Sequence, residues 1–215
     1  MSPVKNALTR LYAILDADAV SARGLTPLPV LDGWLDAGIR LIQLRAKGLS
    51  SGAFQELADQ VVARAHATGA QVIINDRADI AVMSGADGVH VGQDDLTPAQ
   101  VRPLLDHDAI VGLSTHTDAQ IAAALAQPVS YIAIGPVFGT QTKDTGYAAV
   151  GLEQVRRAAS AARAAGLPLV AIGGITRAHV ASVFEAGADS VAVISDLLGD
   201  SLEGCAARVE EWVNL

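Results

Sequence analysis

Short runs of β-branched and other apolar residues alternate with alanine-rich stretches of helical pattern along the chain. The eight predicted strands are Leu11–Leu15, Ile39–Leu44, Val72–Asn75, Gly88–Val91, Ile110–Leu113, Tyr131–Ile134, Leu169–Ile172 and Ser190–Ile194. The predicted helices cover Pro27–Ala37, Ala53–Thr68, Pro98–Leu105, Asp118–Ala126, Leu152–Ala165, Arg177–Ala186 and Glu203–Val213, with a short helix over 79–83. Continuous apolar strands separated by helices are typical of a parallel sheet with a helical cover. Eight such units without a break in composition predict an α/β fold, a (β/α)8 TIM barrel, as a single domain over residues 1–215.

The amino-acid composition limits the classes of molecule that the protein is expected to bind. The chain carries 15 Lys and Arg against 23 Asp and Glu, a formal net charge of −8. Nucleic acids and anionic membranes are bound by basic faces, so neither is expected as a partner. Neither a signal peptide nor a membrane-spanning run is found, and the one cysteine, Cys205, excludes an intrachain disulfide. We therefore expect a cytoplasmic protein, and the sequence leaves a homo-oligomer open.

The last two predicted strands end in small residues. Gly173-Gly174-Ile175 follows the seventh strand, and Ile194-Ser195 ends the eighth. Glycine lets the backbone approach a ligand closely, and a following helix start offers unpaired N–H groups. Because TIM barrels bind phosphate after strands seven and eight, these junctions predict a phosphate site. The alternative is that Gly-Gly is only a tight strand exit.

Basic side chains follow the second strand. Gln43, Arg45 and Lys47 alternate with other residues, so on extended chain they point the same way. An arginine and a lysine at one rim bind an anion well, the arginine through its planar fork and the lysine as a point charge. The alternative is an ion-paired strand end without a ligand.

Carboxylates follow the third and fourth strands. Asn75-Asp76 and Asp94-Asp95 end adjacent strands, so both can contribute to one cation. Mg²⁺ takes few protein carboxylates and completes its shell with water and substrate phosphate. The alternatives are that Asp76 caps a helix or pairs with Arg77, and that Asp94 or Asp95 caps the next helix. The five histidines lack the spacing of a zinc site.

Hydroxyl groups and one further lysine complete the predicted rim. The long connection from Gly135 to Gly151 carries Thr140, Thr142 and Lys143, which suit phosphate, although ordinary solvated loops are also rich in Thr and Gly. Ser114 lacks the strained turn of a nucleophile and is interpreted as a hydrogen-bond donor. His90 lies inside an apolar run and is interpreted as a core histidine.

Together these residues resemble the thiamine phosphate synthase family over essentially the whole chain. The resemblance is carried by Gln43-x-Arg45-x-Lys47, Asn75-Asp76, Gly92-Gln93-Asp94-Asp95, Ser114 before Thr115-His116-Thr117, the loop from Gly135 to Lys143, Gly173-Gly174-Ile175 and Ile194-Ser195. It implies a TIM barrel and a transferase. Such enzymes join an aminopyrimidine methyl diphosphate to a thiazole phosphate, giving thiamine phosphate and pyrophosphate.

The resemblance also implies a role for each group of residues. Asp76 and Asp95 would hold Mg²⁺, and Ser114 would face the pyrimidine. The diphosphate would be surrounded by Arg45, Lys47, Asn75 and Lys143, with Gln43 beside them in the substrate site. The thiazole phosphate would be held by Thr140, Thr142, Gly174, Ile194 and Ser195. Two alternatives share the fold: a thiazole tautomerase, and a non-catalytic thiazole phosphate binder, which would need neither both metal carboxylates nor three basic residues.

Overall fold

The strands of the chain close into a parallel barrel. The computed structural model describes residues 8–139 and 146–214. Its strands are β1 (Leu11–Asp16), β2 (Leu41–Arg45), β3 (Gln71–Asn75), β4 (Gly88–Val91), β5 (Ile110–Thr115), β6 (Tyr131–Ile134), β7 (Leu169–Ile172) and β8 (Ser190–Val193). Each strand pairs with the next, and β8 pairs with β1. The predicted (β/α)8 TIM barrel is therefore confirmed.

Helices cover the outside of the barrel. Within the described residues they are α1 (Ala17–Ser21), α2 (Pro27–Asp36), α3 (Ser51–Ala67), α4 (Ala78–Ser84), α5 (Pro98–Val101), α6 (Asp118–Leu125), α7 (Gly151–Ala164), α8 (Val180–Glu185) and α9 (Leu202–Val213). Single 3₁₀ turns follow α5, at Arg102–Leu104, and β8, at Ser195–Leu197. In the described part of the chain, none of these helices is long and apolar enough to cross a membrane.

Alternate residues of each strand face the inside and the outside of the barrel. On β2, Ile42 and Leu44 pack in the large cluster under the helices, whereas Leu41 belongs to the smaller interior cluster. The interior cluster otherwise contains Tyr12, Ile14, Ile73, Ile110, Tyr131, Ala133, Val170 and Ala192. Because this apolar layer fills the barrel, inward-facing polar residues near the strand ends are left at the mouth.

One helix was missed by the prediction, and another begins three residues later than predicted. The five-residue α1 was missed; it begins directly after β1, where the Asp16 carboxylate accepts a hydrogen bond from Ala19 N at 2.9 Å. Helix α8 begins at Val180 rather than at Arg177. The backbone N–H of Arg177 donates to the Asp196 carboxylate at 3.2 Å, which holds this segment in a turn.

Candidate active site

The carboxyl ends of the strands surround a cavity at one mouth of the barrel. Polar side chains near the ends of four strands, β2 to β5, line it, and its walls are the upper part of the apolar interior. The lining includes Gln43, Arg45, Asn75, His90, Ser114 and Ile194, together with Tyr12, Ile14, Ala133, Val170, Ile172 and Ala192. Of the residues predicted to bind substrate, the fold therefore brings Gln43, Arg45, Asn75, Ser114 and Ile194 to one cavity.

Arg45 is held by a buried carboxylate that the sequence reading missed. The guanidinium pairs with Asp16 at the end of the neighbouring strand β1, and the two side chains are 14% and 2% exposed. Asp16 also accepts from Ala19 N and so is fixed at the start of α1. The Arg45 Nε is buried and has no hydrogen-bond partner among the described residues. Arg45 is thus oriented from one side and keeps a donor beside the cavity.

Lys47 and two aspartates form a second charged group, next to the cavity. Lys47 Nζ lies 2.8 Å from Asp76 Oδ2. Asp76 has a φ of +62°, a left-handed conformation that Asp adopts more readily than most residues. Burial raises the pKa of Asp95, a hydrogen bond from the Gly92 N–H at 2.7 Å opposes that rise, and the adjacent Asp76 carboxylate adds to it. A cation would stabilise the charged form of Asp95 beside the adjacent Asp76 carboxylate.

The alternative roles considered for these aspartates are wrong. Arg77 pairs with Asp79 instead of Asp76, and no side chain caps the start of α4. Helix α5 is capped by Thr97 with Gln100, while Asp94 is exposed. Across residues 8–139 and 146–214, no group of three or more His, Cys, Asp or Glu could hold a metal ion. A cation here would have two protein carboxylates, Asp76 and Asp95.

A chain of hydrogen bonds runs through the barrel interior to the cavity. Gln43 Nε2 donates to the Tyr12 hydroxyl at 3.0 Å, and the Tyr12 and Tyr131 hydroxyls are 3.1 Å apart. The Tyr131 hydroxyl lies 2.8 Å from His90 Nδ1, and His90 Nε2 lies 2.8 Å from Ser114 Oγ. Ser114 thus makes a side-chain hydrogen bond to His90, and its role as a hydrogen-bond donor stays a prediction. His90 is buried, as predicted for a core histidine, yet it lines the cavity and contacts Ser114.

A glycine on β5 makes room for this contact. Gly112 lies between His90 and Tyr131 in the strand register. A Cβ at Gly112 would lie 2.3 Å from the Tyr131 hydroxyl and 2.5 Å from His90 Nδ1. The space that glycine leaves is therefore occupied by the hydrogen bond itself.

The junctions after β7 and β8 differ in detail from the predicted phosphate site. Gly173 and Gly174 both have a positive φ, of +100° and +64°, in the loop after β7. A Cβ at Gly174 would lie 2.6 Å from Gly139 O and 2.9 Å from Phe138 Cβ. Gly174 is therefore required for close packing of the loops after β6 and β7. After β8, exposed Ser195 begins a single 3₁₀ turn.

The long loop after β6 is anchored at both ends. Val137 N donates to Ile172 O at 2.8 Å, and Gly151 N donates to Val137 O at 3.0 Å. Farther along, the Tyr147 ring stacks on His116 at 3.9 Å between centroids. Thr140, Thr142 and Lys143 lie outside the described residues.

Asp16, Tyr12 and Tyr131 are the residues of this region that sequence reasoning missed. Asp16 directly follows the predicted strand Leu11–Leu15, so the strand-end rule applied to the other units would have found it. Tyr12 and Tyr131 lie within predicted strands, and no local signal distinguishes them from apolar core residues.

Comparisons with known proteins point to one family. A family model described as thiamine monophosphate synthase matches residues 11–197. A thiamine-phosphate synthase of Koribacter versatilis is 43% identical over 197 residues, which cover 90% of each chain. One from Xanthobacter autotrophicus is 42% identical over 198 residues, 92% of each chain. A solved thiamine phosphate pyrophosphorylase of Pyrococcus furiosus superimposes with a TM-score of 0.83 at 27% identity, covering 98% of this chain and 96% of that one.

Proposed function

The chain belongs to the thiamine monophosphate synthase family, and from that premise we propose that it is the transferase that makes thiamine phosphate. It would join 4-amino-2-methyl-5-(diphosphooxymethyl)pyrimidine to 4-methyl-5-(2-phosphooxyethyl)thiazole and release pyrophosphate. The observation that carries this proposal is the gathering of Arg45, Lys47, Asp76 and Asp95 around one cavity mouth. A protein that only bound the thiazole phosphate would need neither the carboxylate pair nor this number of cations.

Asp76 and Asp95 fit a divalent cation. Their carboxylates are adjacent, and the pKa of Asp95 is raised first by burial and then by Asp76. We propose that both would ligate Mg²⁺, which would neutralise charge on the diphosphate leaving group when bound. Lys47 now balances Asp76 at 2.8 Å, so it would be free to contact the diphosphate once a cation takes over that carboxylate.

Charge neutralisation and positioning are the main demands of this reaction. The pyrimidinylmethyl centre is resonance-stabilised, so departure of pyrophosphate requires no protein nucleophile. Arg45, oriented by Asp16, would contact the diphosphate with its buried Nε, and Asn75 lies beside it in the cavity. Gln43 and Ser114 would contact the pyrimidine, and the apolar walls would exclude water from the reactive carbon.

The residues proposed for the thiazole phosphate lie on the other side of the mouth. Gly174 and Ser195 are in the loops after β7 and β8, and Ile194 lines the cavity. Thr140 and Thr142 would complete the thiazole phosphate site, and Lys143 would contact the diphosphate. The phosphorylated substrates are the partners that we propose. A cytoplasmic location also stays a proposal, supported by the free, buried Cys205.

The test is turnover by the purified chain with both substrates. We expect thiamine phosphate and pyrophosphate in equal amounts with Mg²⁺, and no product with excess chelator. Absence of product with Mg²⁺ and both substrates would refute the synthase, whereas full turnover in chelator would refute only the metal. Asp94→Asn is the matched control for Asp95→Asn, because Asp94 is the exposed neighbour in the same turn.

A further inference from the structure

The hydrogen-bond chain inside the barrel has a direction that follows from its donors. Gln43 Nε2 can only donate, so the Tyr12 oxygen accepts from it. The Tyr12 hydroxyl contacts the Tyr131 hydroxyl, which in turn contacts His90 Nδ1. The arrangement that gives both tyrosine protons an acceptor passes the Tyr12 proton to the Tyr131 oxygen and the Tyr131 proton to His90 Nδ1. In that arrangement His90 carries its proton on Nε2 and donates it to Ser114 Oγ. Because that oxygen accepts from His90, the Ser114 hydroxyl proton points elsewhere and can be donated to a ligand.

Burial of the two tyrosines makes the reverse direction of the hydrogen-bond chain unfavourable. Tyr12 and Tyr131 are 1% and 0% exposed, so a hydroxyl left without a partner would have no water to replace it. The reverse tautomer of His90 would make Nδ1 a donor toward Tyr131. Tyr131 would then donate to Tyr12, which already accepts from Gln43, and the Tyr12 proton would be left without its acceptor. The buried tyrosines thus favour the Nε2–H tautomer.

We propose that Tyr131 is a positioning residue: its hydroxyl holds His90 in the Nε2–H tautomer, and His90 in turn fixes the Ser114 hydroxyl as a donor to the aminopyrimidine. The substrate part of this inference rests on the proposed function, because the pyrimidine ring nitrogens are the acceptors that such a donor fits. Gly112 supports the assignment, since its missing side chain is the space in which the Tyr131 and His90 atoms meet.

The tautomer is measured without substrate. In ¹⁵N-histidine-labelled protein, at a pH where His90 is neutral, the chemical shifts of the two ring nitrogens report which one is protonated. We expect Nε2–H in the wild type and a mixture of both tautomers in Tyr131→Phe, which removes only the hydroxyl. Tyr12→Phe is the matched control: it also removes one buried hydroxyl from the chain but leaves the Tyr131–His90 contact, so Nε2–H should persist. An Nδ1–H tautomer in the wild type would overturn the proposal, as would an unchanged tautomer in Tyr131→Phe.

The effect on substrate is measured with a double-mutant cycle. We expect Tyr131→Phe to raise KM for the pyrimidine diphosphate about tenfold and to leave KM for the thiazole phosphate unchanged. In a Ser114→Ala background, Tyr131→Phe should have no further effect, because its influence passes through Ser114. Additive losses would overturn the proposal. An inactive wild type would refute the proposed function, while the tautomer measurement would still decide the role of Tyr131.

Discussion

Replacing Gly112 by alanine tests how tightly the barrel interior is packed around the hydrogen-bond chain. The new Cβ would lie 2.2 Å from Tyr131 Cζ, 2.3 Å from its hydroxyl and 2.5 Å from His90 Nδ1. These distances are far below van der Waals contact, and both neighbours are buried, so the tyrosine and the histidine must separate. The substitution therefore overpacks the interior and breaks a buried hydrogen bond at once.

The two costs add to a measurable loss of stability. Overpacking costs about 1–3 kcal/mol, and a buried polar group without its partner costs about 1–3 kcal/mol. Replacing glycine in a strand returns about 1 kcal/mol of chain entropy, which leaves a net destabilisation of about 1–5 kcal/mol. Urea unfolding followed by circular dichroism measures the free energy of unfolding. Gly52→Ala in α3 is the matched control, because a Cβ there meets nothing within 4 Å. A Gly112→Ala protein as stable as the wild type would refute the reasoning.

Three further predictions concern charge. Asp95→Asn should lower the Mg²⁺ affinity measured by titration calorimetry by more than about tenfold, whereas Asp94→Asn should leave it unchanged. A tenfold loss is expected even for a residue that only hydrogen-bonds a metal ligand, so a direct ligand should lose more. Asp16→Asn leaves the Arg45 guanidinium buried without its counter-charge, so the free energy of unfolding should fall by about 3 kcal/mol; an unchanged value would show that the pair is solvated. Burial raises the pKa of both interior tyrosines, Tyr12 and Tyr131. Their contribution to the free energy of unfolding is therefore complete below about pH 10 and is lost as the pH rises further. Ionisation of these two tyrosines, followed by absorbance at 295 nm, should coincide with alkaline unfolding and never precede it.

The barrel could be predicted because its strands are short, apolar and separated by strong helical patterns. Strands β4, β6 and β7 match the prediction residue for residue. The start of β2 was wrong, since the predicted strand began at Ile39 and the structure begins it at Leu41. Ile39 N donates to Trp34 O at 3.0 Å, so Ile39 still belongs to the turn that ends α2. An apolar residue at a helix end and one at a strand start look alike in the sequence.

Only those residues of the candidate site that lie at or just after a strand end could be predicted from the sequence. Arg45 ends β2, Asp76 directly follows β3 and Asp95 lies in the turn after β4, so the strand-end rule finds all three. Tyr12 and Tyr131 are 119 residues apart and meet only because the barrel closes. Their contact depends on which residues face inward at the same height, and on the space left by Gly112, neither of which a local pattern contains.

Gly174 shows that a glycine singled out from the sequence can be required for a different physical reason. From the sequence, its missing side chain was explained by backbone approach to a phosphate. In the structure, the same missing side chain admits Gly139 O and the Phe138 backbone, so the loops after β6 and β7 pack directly on each other. Phe138 N donates to Gly173 O at 3.0 Å across this contact. Because the segment that carries Thr140, Thr142 and Lys143 begins directly after Gly139, we expect a side chain at position 174 to weaken thiazole phosphate binding by displacing Gly139 rather than by touching the phosphate.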